Sequence, residues 1–358
     1  MKYHKWSFIV TIIGLILAYL WGERAIPGSG LVLVFIASVL AILEVSLSFD
    51  NAVVNAIKLE KMSPVWQRRF LTWGMLIAVF GMRLVFPIVI VAVFAGLGVV
   101  DVAVLAIKNP EKYSHYLHES HASITAFGGI FLLMLFLSFI LDTAKKIHWI
   151  KIIEEKLTKI GKFEGVEIII TLLSLYFVQN FIDNPVKTQV LLAGIAGLIT
   201  YLLIDGLVKL MEHDQESKLL SNTVKQGGFM SFMYLEIIDA SFSFDGVIGA
   251  FAISNDVVII SIGLTIGAMF VRSLTIMLVE QKALAKYIYL EHGAHWAIGA
   301  LAFIMLYSTK GHVSEVITGL VGAGFIGASY LSSLYFNKIK AQEDFEDKFK
   351  EPELIEVK

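Results

Sequence analysis

The chain runs to 358 residues, of which 57% are hydrophobic and only 17% charged, with a mean hydropathy of +0.74. That balance excludes an ordinary soluble domain and points to a membrane protein of many spans, whose first partner is the lipid bilayer. A net charge of −2 argues against a nucleic-acid partner, and the absence of cysteine excludes disulfides and thiolate metal sites.

The first apolar run, 6–22, follows Lys2 and Lys5 as a signal peptide would. No small-x-small cleavage site comes after it, so it reads as a retained first helix. Nine further runs are long enough to cross a bilayer, which takes about 20 residues with some tilt. They are 30–57, 70–100, 122–142, 166–182, 188–208, 229–253, 256–280, 294–309 and 313–336. The run 70–100 carries Pro87, which cannot donate to the carbonyl of Arg83 and predicts a freed backbone oxygen beside a buried cation. His115, His118, Glu119 and His121 read as a solvated loop before the fourth run, and Glu291, His292 and His295 as another before the ninth, with metal capture at the two mouths as the alternative for both. Residues 146–162 place Ile150, Ile153, Leu157 and Ile160 on one helical face among lysines, which predicts a helix lying along the membrane surface. Gly319, Ala323 and Gly327 form a small-residue stripe of the kind that packs helices.

Loop charge sets the orientation. If all ten runs cross, 22 of the 29 basic residues fall on one side, including the six lysines from Lys145 to Lys162 and the five after Asn337. Only Arg24, Lys108, Lys112, Lys187 and Lys310 fall on the other. The positive-inside rule then predicts a multi-pass protein of the bacterial inner membrane with both termini cytoplasmic.

The most expensive stretch of the chain occurs twice. Glu44, Ser46, Ser48, Asp50 and Asn51 lie inside one apolar run, and Asp239, Ser241, Ser243, Asp245 and Gly246 repeat them in another. A charge within a spanning helix costs about 2.5–3.5 kcal/mol on insertion scales and marks a functional site by default. Weaker matches accompany the motif in order. Gly74 precedes Arg83 by the same interval as Gly263 precedes Arg272, and Ser174 with Tyr176 and Phe177 recurs as Ser333 with Tyr335 and Phe336. Five helices per unit is an odd number, so the second copy must sit upside down. The fold expected is all-α and polytopic, about ten transmembrane helices in two inverted five-helix repeats, 1–187 and 188–336, with a cytoplasmic tail, 337–358.

On a regular helix Glu44, Ser48, Asn51 and Asn55 share a face, whereas Asp50 points about 240° away from Glu44. Opening the helix near Ser46–Ser48 would let the oxygens converge, and the same opening is expected around Asp239, Ser243 and Asp245. Hard oxygen ligands without histidine suit Mg²⁺, Ca²⁺ or Mn²⁺. Glu236, one turn before Asp239, has no counterpart in the first copy, where Ala41 stands.

The spacing of Glu44 to Asp50 and Asn51, and of Asp239 to Asp245, resembles the two signature motifs of the TerC-type integral membrane proteins, named for tellurium resistance. Arg83 and Arg272 resemble the arginines on that family's following helices. The likeness covers roughly 30–100 and 229–280, and implies a metal-ion transporter, manganese export foremost, with kinship to LysE-type exporters. Two departures mark a divergent branch: Gly246 where the family usually has Ser, and Ser48 where Gly is frequent.

Together these features predict export of a divalent cation, Mn²⁺ before Ca²⁺ or Mg²⁺, with no permanently bound cofactor. Glu44, Asp50, Asn51, Asp239 and Asp245 are the expected metal ligands, assisted by Ser48 and Ser243, with Arg83 and Arg272 balancing charge. Four carboxylates against two arginines leave two negative charges, which one divalent cation or two protons would neutralise. That is the logic of an antiporter. Two rival readings are an intramembrane aspartyl enzyme built on Asp50 and Asp245, and a non-transporting scaffold in a metal-stress response. The partner acids Glu44 and Asp239 are superfluous to such an enzyme.

Overall fold

The computed structural model describes residues 3–350 apart from 26, 61, 75, 78–80, 82–84, 183–185, 220–227, 255, 283–285, 312 and 314. Among the described residues the secondary structure is helical throughout. The first half carries α1 (Lys5–Ala25), α2 (Gly30–Leu47), α3 (Phe49–Glu60), α4 (Pro64–Arg69), a π-helical turn (Phe70–Gly74), α5 (Phe86–Ala95), α6 (Val99–Lys108) and α7 (Pro110–Ile140). Then follow α8 (Lys151–Ile160), α9 (Val166–Asn180), α10 (Val186–Leu219), α11 (Phe229–Ile253), α12 (Val257–Glu280), α13 (Leu290–Ser308) and α14 (Glu315–Lys350).

Among the described residues, five helices are long and apolar enough to cross a membrane: Lys5–Arg24, Pro110–Ile140, Val186–Leu207, Val257–Glu280 and Ile317–Lys340. Large apolar side chains stand exposed along α1, among them Phe8, Ile12, Ile13, Ile16 and Leu20. Water would penalise such a surface and lipid would not, so the chain is a membrane protein.

Chain chemistry explains where the helices start and stop. Asn109 caps α7, its side chain accepting from the Lys112 N–H at 3.1 Å, with Pro110 in the first turn. Asp256 caps α12 by accepting from the Val258 and Ile259 N–H groups, while its other oxygen takes the indole N–H of Trp21 at 2.8 Å and ties α1 to α12. The run expected over 70–100 is not one helix. α5 ends at Gly96, which adopts φ 64° and ψ 30°, a left-handed geometry that glycine enters without a Cβ clash. Arg83, and with it the backbone oxygen freed by Pro87, lies outside the described residues.

Three further expectations give way. α7 begins at Pro110, so His115, His118, Glu119 and His121 occupy its first turns rather than a loop. α13 begins at Leu290, which makes Glu291, His292 and His295 helical, and both histidines are buried. At Gly327 an added methyl would meet open space among the described residues, so that stripe does not pack helices there. Close packing falls instead to Gly263 and Gly267 on α12. A Cβ at Gly263 would stand 2.5 Å from Leu40 Cβ, and one at Gly267 would stand 2.5 Å from Glu44 Cβ and Cγ. The four-residue spacing of these two glycines lets α2 approach α12 backbone to backbone.

Apolar packing centres on α7, whose residues Ile130, Phe131, Leu132, Leu133 and Met134 are buried on every face against α9, α10 and α13. A second cluster joins α1, α2, α6 and α12, and a smaller one gathers Leu59, Met62, Phe70, Phe232 and Leu235.

A polar knot fastens α8 to this bundle. The Glu154 carboxylate, fully buried, accepts from His292 Nδ1 at 2.9 Å, the Trp296 indole at 3.0 Å and Lys145 Nζ at 3.1 Å, and from the Trp149 and Ile150 N–H groups at 3.3 Å. Burial alone would raise its pKa. The hydrogen bonds from His292 and Trp296, with the charges of His292 and Lys145, outweigh burial and hold it well below its ordinary value of 4.5. A carboxylate held below its ordinary pKa stabilises the fold fully above that value and loses the contribution as pH falls beneath it. Glu154→Gln should therefore open residues 146–162 to protease at neutral pH, whereas the parent protein should open there only in acid. Equal protease resistance of the two at neutral pH would show that the knot carries no stability.

Candidate cation site

The apolar helix that starts at Gly30 stops at Leu47, inside the first motif. Ser48 follows at φ −100° and ψ 14°, and α3 resumes at Phe49. The break is slight, because the Ser48 N–H still donates to Glu44 O at 2.9 Å and the Ala52 N–H to Ser48 O at 3.2 Å. The first copy thus carries an irregularity of one residue where an opening of the helix is expected. In the second copy α11 passes unbroken from Phe229 to Ile253, with no proline, and no glycine before Gly246, to interrupt its ladder across 239–246.

Glu44, Ser48, Asn51 and Asn55 do share one face, and none is more than 5% exposed. The Ser48 hydroxyl donates to Glu44 Oε1 at 2.8 Å. On α11, Asp239 Oδ1 accepts a hydrogen bond from Asn51 Nδ2. At the other end of the motif a Cβ on Gly246 would stand 2.9 Å from Glu44 Oε2, so the missing side chain leaves room for that carboxylate. The pairing is reciprocal. The first residue of each motif meets the last residue of the other: Glu44 lies against Gly246, and Asp239 against Asn51. The two motif segments therefore run antiparallel past each other.

Asp50, Ser243 and Asp245 have their backbones on α3 and α11, but their side chains lie outside the described residues, as does all of Arg83. Arg272 is half-buried on α12 and directs Nε and Nη2 to the carbonyl of Leu71, at 3.0 and 2.9 Å. Its guanidinium is held by a backbone oxygen of the π-helical turn, and no ion pair to an acid is made among the described residues. Among those same residues no three histidine or acidic side chains gather closely enough to hold a metal ion.

Sequence reasoning left Glu236 unassigned, and the structure gives it a place. Glu236 is buried on α11, and neither of its carboxylate oxygens has a hydrogen-bond partner among the described residues. A Cβ on Gly74 would stand 2.5 Å from Glu236 Oε1, so the end of the π-helical turn is cut away to admit the carboxylate. Asn55 Oδ1 is likewise buried without a hydrogen-bond partner among the described residues. A buried polar group left unpaired costs about 1–3 kcal/mol, which a purely structural residue has no reason to bear. Helical spacing places both beside the motifs: Asn55 falls one turn after Asn51, and Glu236 one turn before Asp239.

What this arrangement can do follows from its donors. It offers carboxylate, amide and hydroxyl oxygens in an apolar surround, without imidazole or thiolate. Such a set suits a hard divalent cation. A family model described as a protein of unknown function (DUF475) matches residues 49–340. No curated protein and no solved structure matches the chain.

Proposed function

The chain belongs to the DUF475 family, whose function is unknown, and we propose that it exports a divalent metal cation, Mn²⁺ foremost, across a bacterial inner membrane in exchange for protons. The observation that carries this reading is the buried row of oxygens from Glu44 to Asn55, set against Asp239 and a Glu236 carboxylate that has no hydrogen-bond partner among the described residues. Glu44, Asp50, Asn51, Asp239 and Asp245 hold the ion, with Ser48 and Ser243 assisting, and Arg83 and Arg272 offset the remaining charge. The resemblance of both motifs to the TerC-type proteins points the same way.

The architecture proposed is ten spans in two inverted repeats, with both termini cytoplasmic. The reciprocal contacts Glu44–Gly246 and Asp239–Asn51 support it, because a two-fold axis in the membrane plane generates such pairs. Glu236 adds a fifth carboxylate to the four already counted. With two arginines and one divalent cation present, neutrality then requires a proton on one carboxyl group.

Accumulation of metals in living cells tests the reading. Cells lacking the protein should hold more Mn²⁺ than the parent when challenged with that ion, and cells overproducing it should hold less. Equal contents in all three strains, across Mn²⁺, Mg²⁺ and Ca²⁺, would overturn the proposal.

A further inference from the structure

Residues 141–165 join the end of α7 to the start of α9. With α7 spanning the membrane, this segment is held at one end of the bundle and cannot leave the membrane surface. Glu154 fixes its rotation. One face of α8 is pulled inward by the knot with His292, Trp296 and Lys145, so the opposite face points away from the protein. That outward face is not polar. Ile152 is 76% exposed, Phe163 63%, Ile160 48% and Ile153 46%. Lys146, Lys151, Lys156, Lys159 and Lys162 stand exposed between and beside them. Lys145 is consumed by Glu154, and the other acids of the segment are three: Glu155, 3.9 Å from Lys151, and the exposed Asp142 and Glu164.

We infer that α8 and the turn after it form a docking surface for anionic phospholipids, with the isoleucines and Phe163 entering the interface and the lysines meeting the headgroups. Water alone would leave bulky apolar side chains exposed in a row, and a neutral lipid surface would leave the lysines without counter-charge. An anionic leaflet satisfies both. Glu154 is the pin that presents this face, which gives a buried carboxylate outside the two acidic motifs a purpose.

The inference is tested on the whole protein in lipid nanodiscs by hydrogen–deuterium exchange over 146–163, independently of transport. Replacing about one third of neutral phosphatidylcholine by phosphatidylglycerol should slow exchange there about tenfold, while exchange along α7 stays unchanged. About 1 M salt should remove the difference, as should the joint replacement Lys151→Gln, Lys156→Gln, Lys159→Gln and Lys162→Gln. Equal exchange in the two lipid compositions would overturn the inference. So would protection that grows with protein concentration whatever the lipid, since that would assign the face to a second copy of the chain.

Discussion

Glu44→Gln and Asp239→Asn should each reduce Mn²⁺ efflux by about a hundredfold or more while leaving the protein inserted and folded. Both exchanges keep volume and hydrogen bonding. A glutamine at 44 can still accept from the Ser48 hydroxyl, and an asparagine at 239 can still accept from Asn51 Nδ2. What each removes is one negative charge facing the ion. Groups that merely orient a metal ligand already cost 10–100-fold when lost, so a ligand's own charge sets the upper end of that range. Asp50→Asn and Asp245→Asn should behave alike. The measurement is efflux from loaded cells, with protein level in the membrane as the control. Normal efflux from all four variants would mean that the acids hold helices together and nothing more.

Gly267→Val should be nearly as damaging without touching a single acid. The first added carbon would stand 2.5 Å from Glu44 Cβ and Cγ and 2.9 Å from Ala41 O, and the backbone fixes the position of Cβ and of the carbonyl oxygen. α2 must then move away from α12 and carry Glu44 with it. Overpacking of this kind costs about 1–3 kcal/mol, enough to lower the apparent melting temperature in detergent by several degrees and to uncouple Glu44 from Gly246. Gly327→Ala is the matching control, since a methyl there meets open space among the described residues. Melting temperatures that do not differ between the two would remove Gly267 from the account.

How far the sequence revealed this depends on the range of each interaction. The row Glu44, Ser48, Asn51 and Asn55 was legible because helical periodicity is a local rule, and the one-residue irregularity at Ser48 falls where the motif predicts an opening. The seam at Gly263 and Gly267 was also local, a glycine pair four apart in an apolar run, although only Gly263 drew notice as a repeat position. Contacts between distant parts of the chain were not legible. Nothing near Glu154 announces that it will meet His292 and Trp296 across more than a hundred residues, and those histidines look like loop residues until α13 is seen to begin at Leu290. The third run was misread for the opposite reason. Its apolar character is continuous, but Gly96 and Gly98 stop the helix within it.

Transport by the purified protein in sealed vesicles tests the central claim most directly. Vesicles loaded with Mn²⁺, with no other driving force, should release it faster when protons are more concentrated outside, and little net current should accompany the release. The vesicle interior should acidify as metal leaves. Metal movement that ignores the pH gradient, or follows membrane voltage alone, would contradict exchange of one cation for protons at Glu44, Asp50, Asp239 and Asp245.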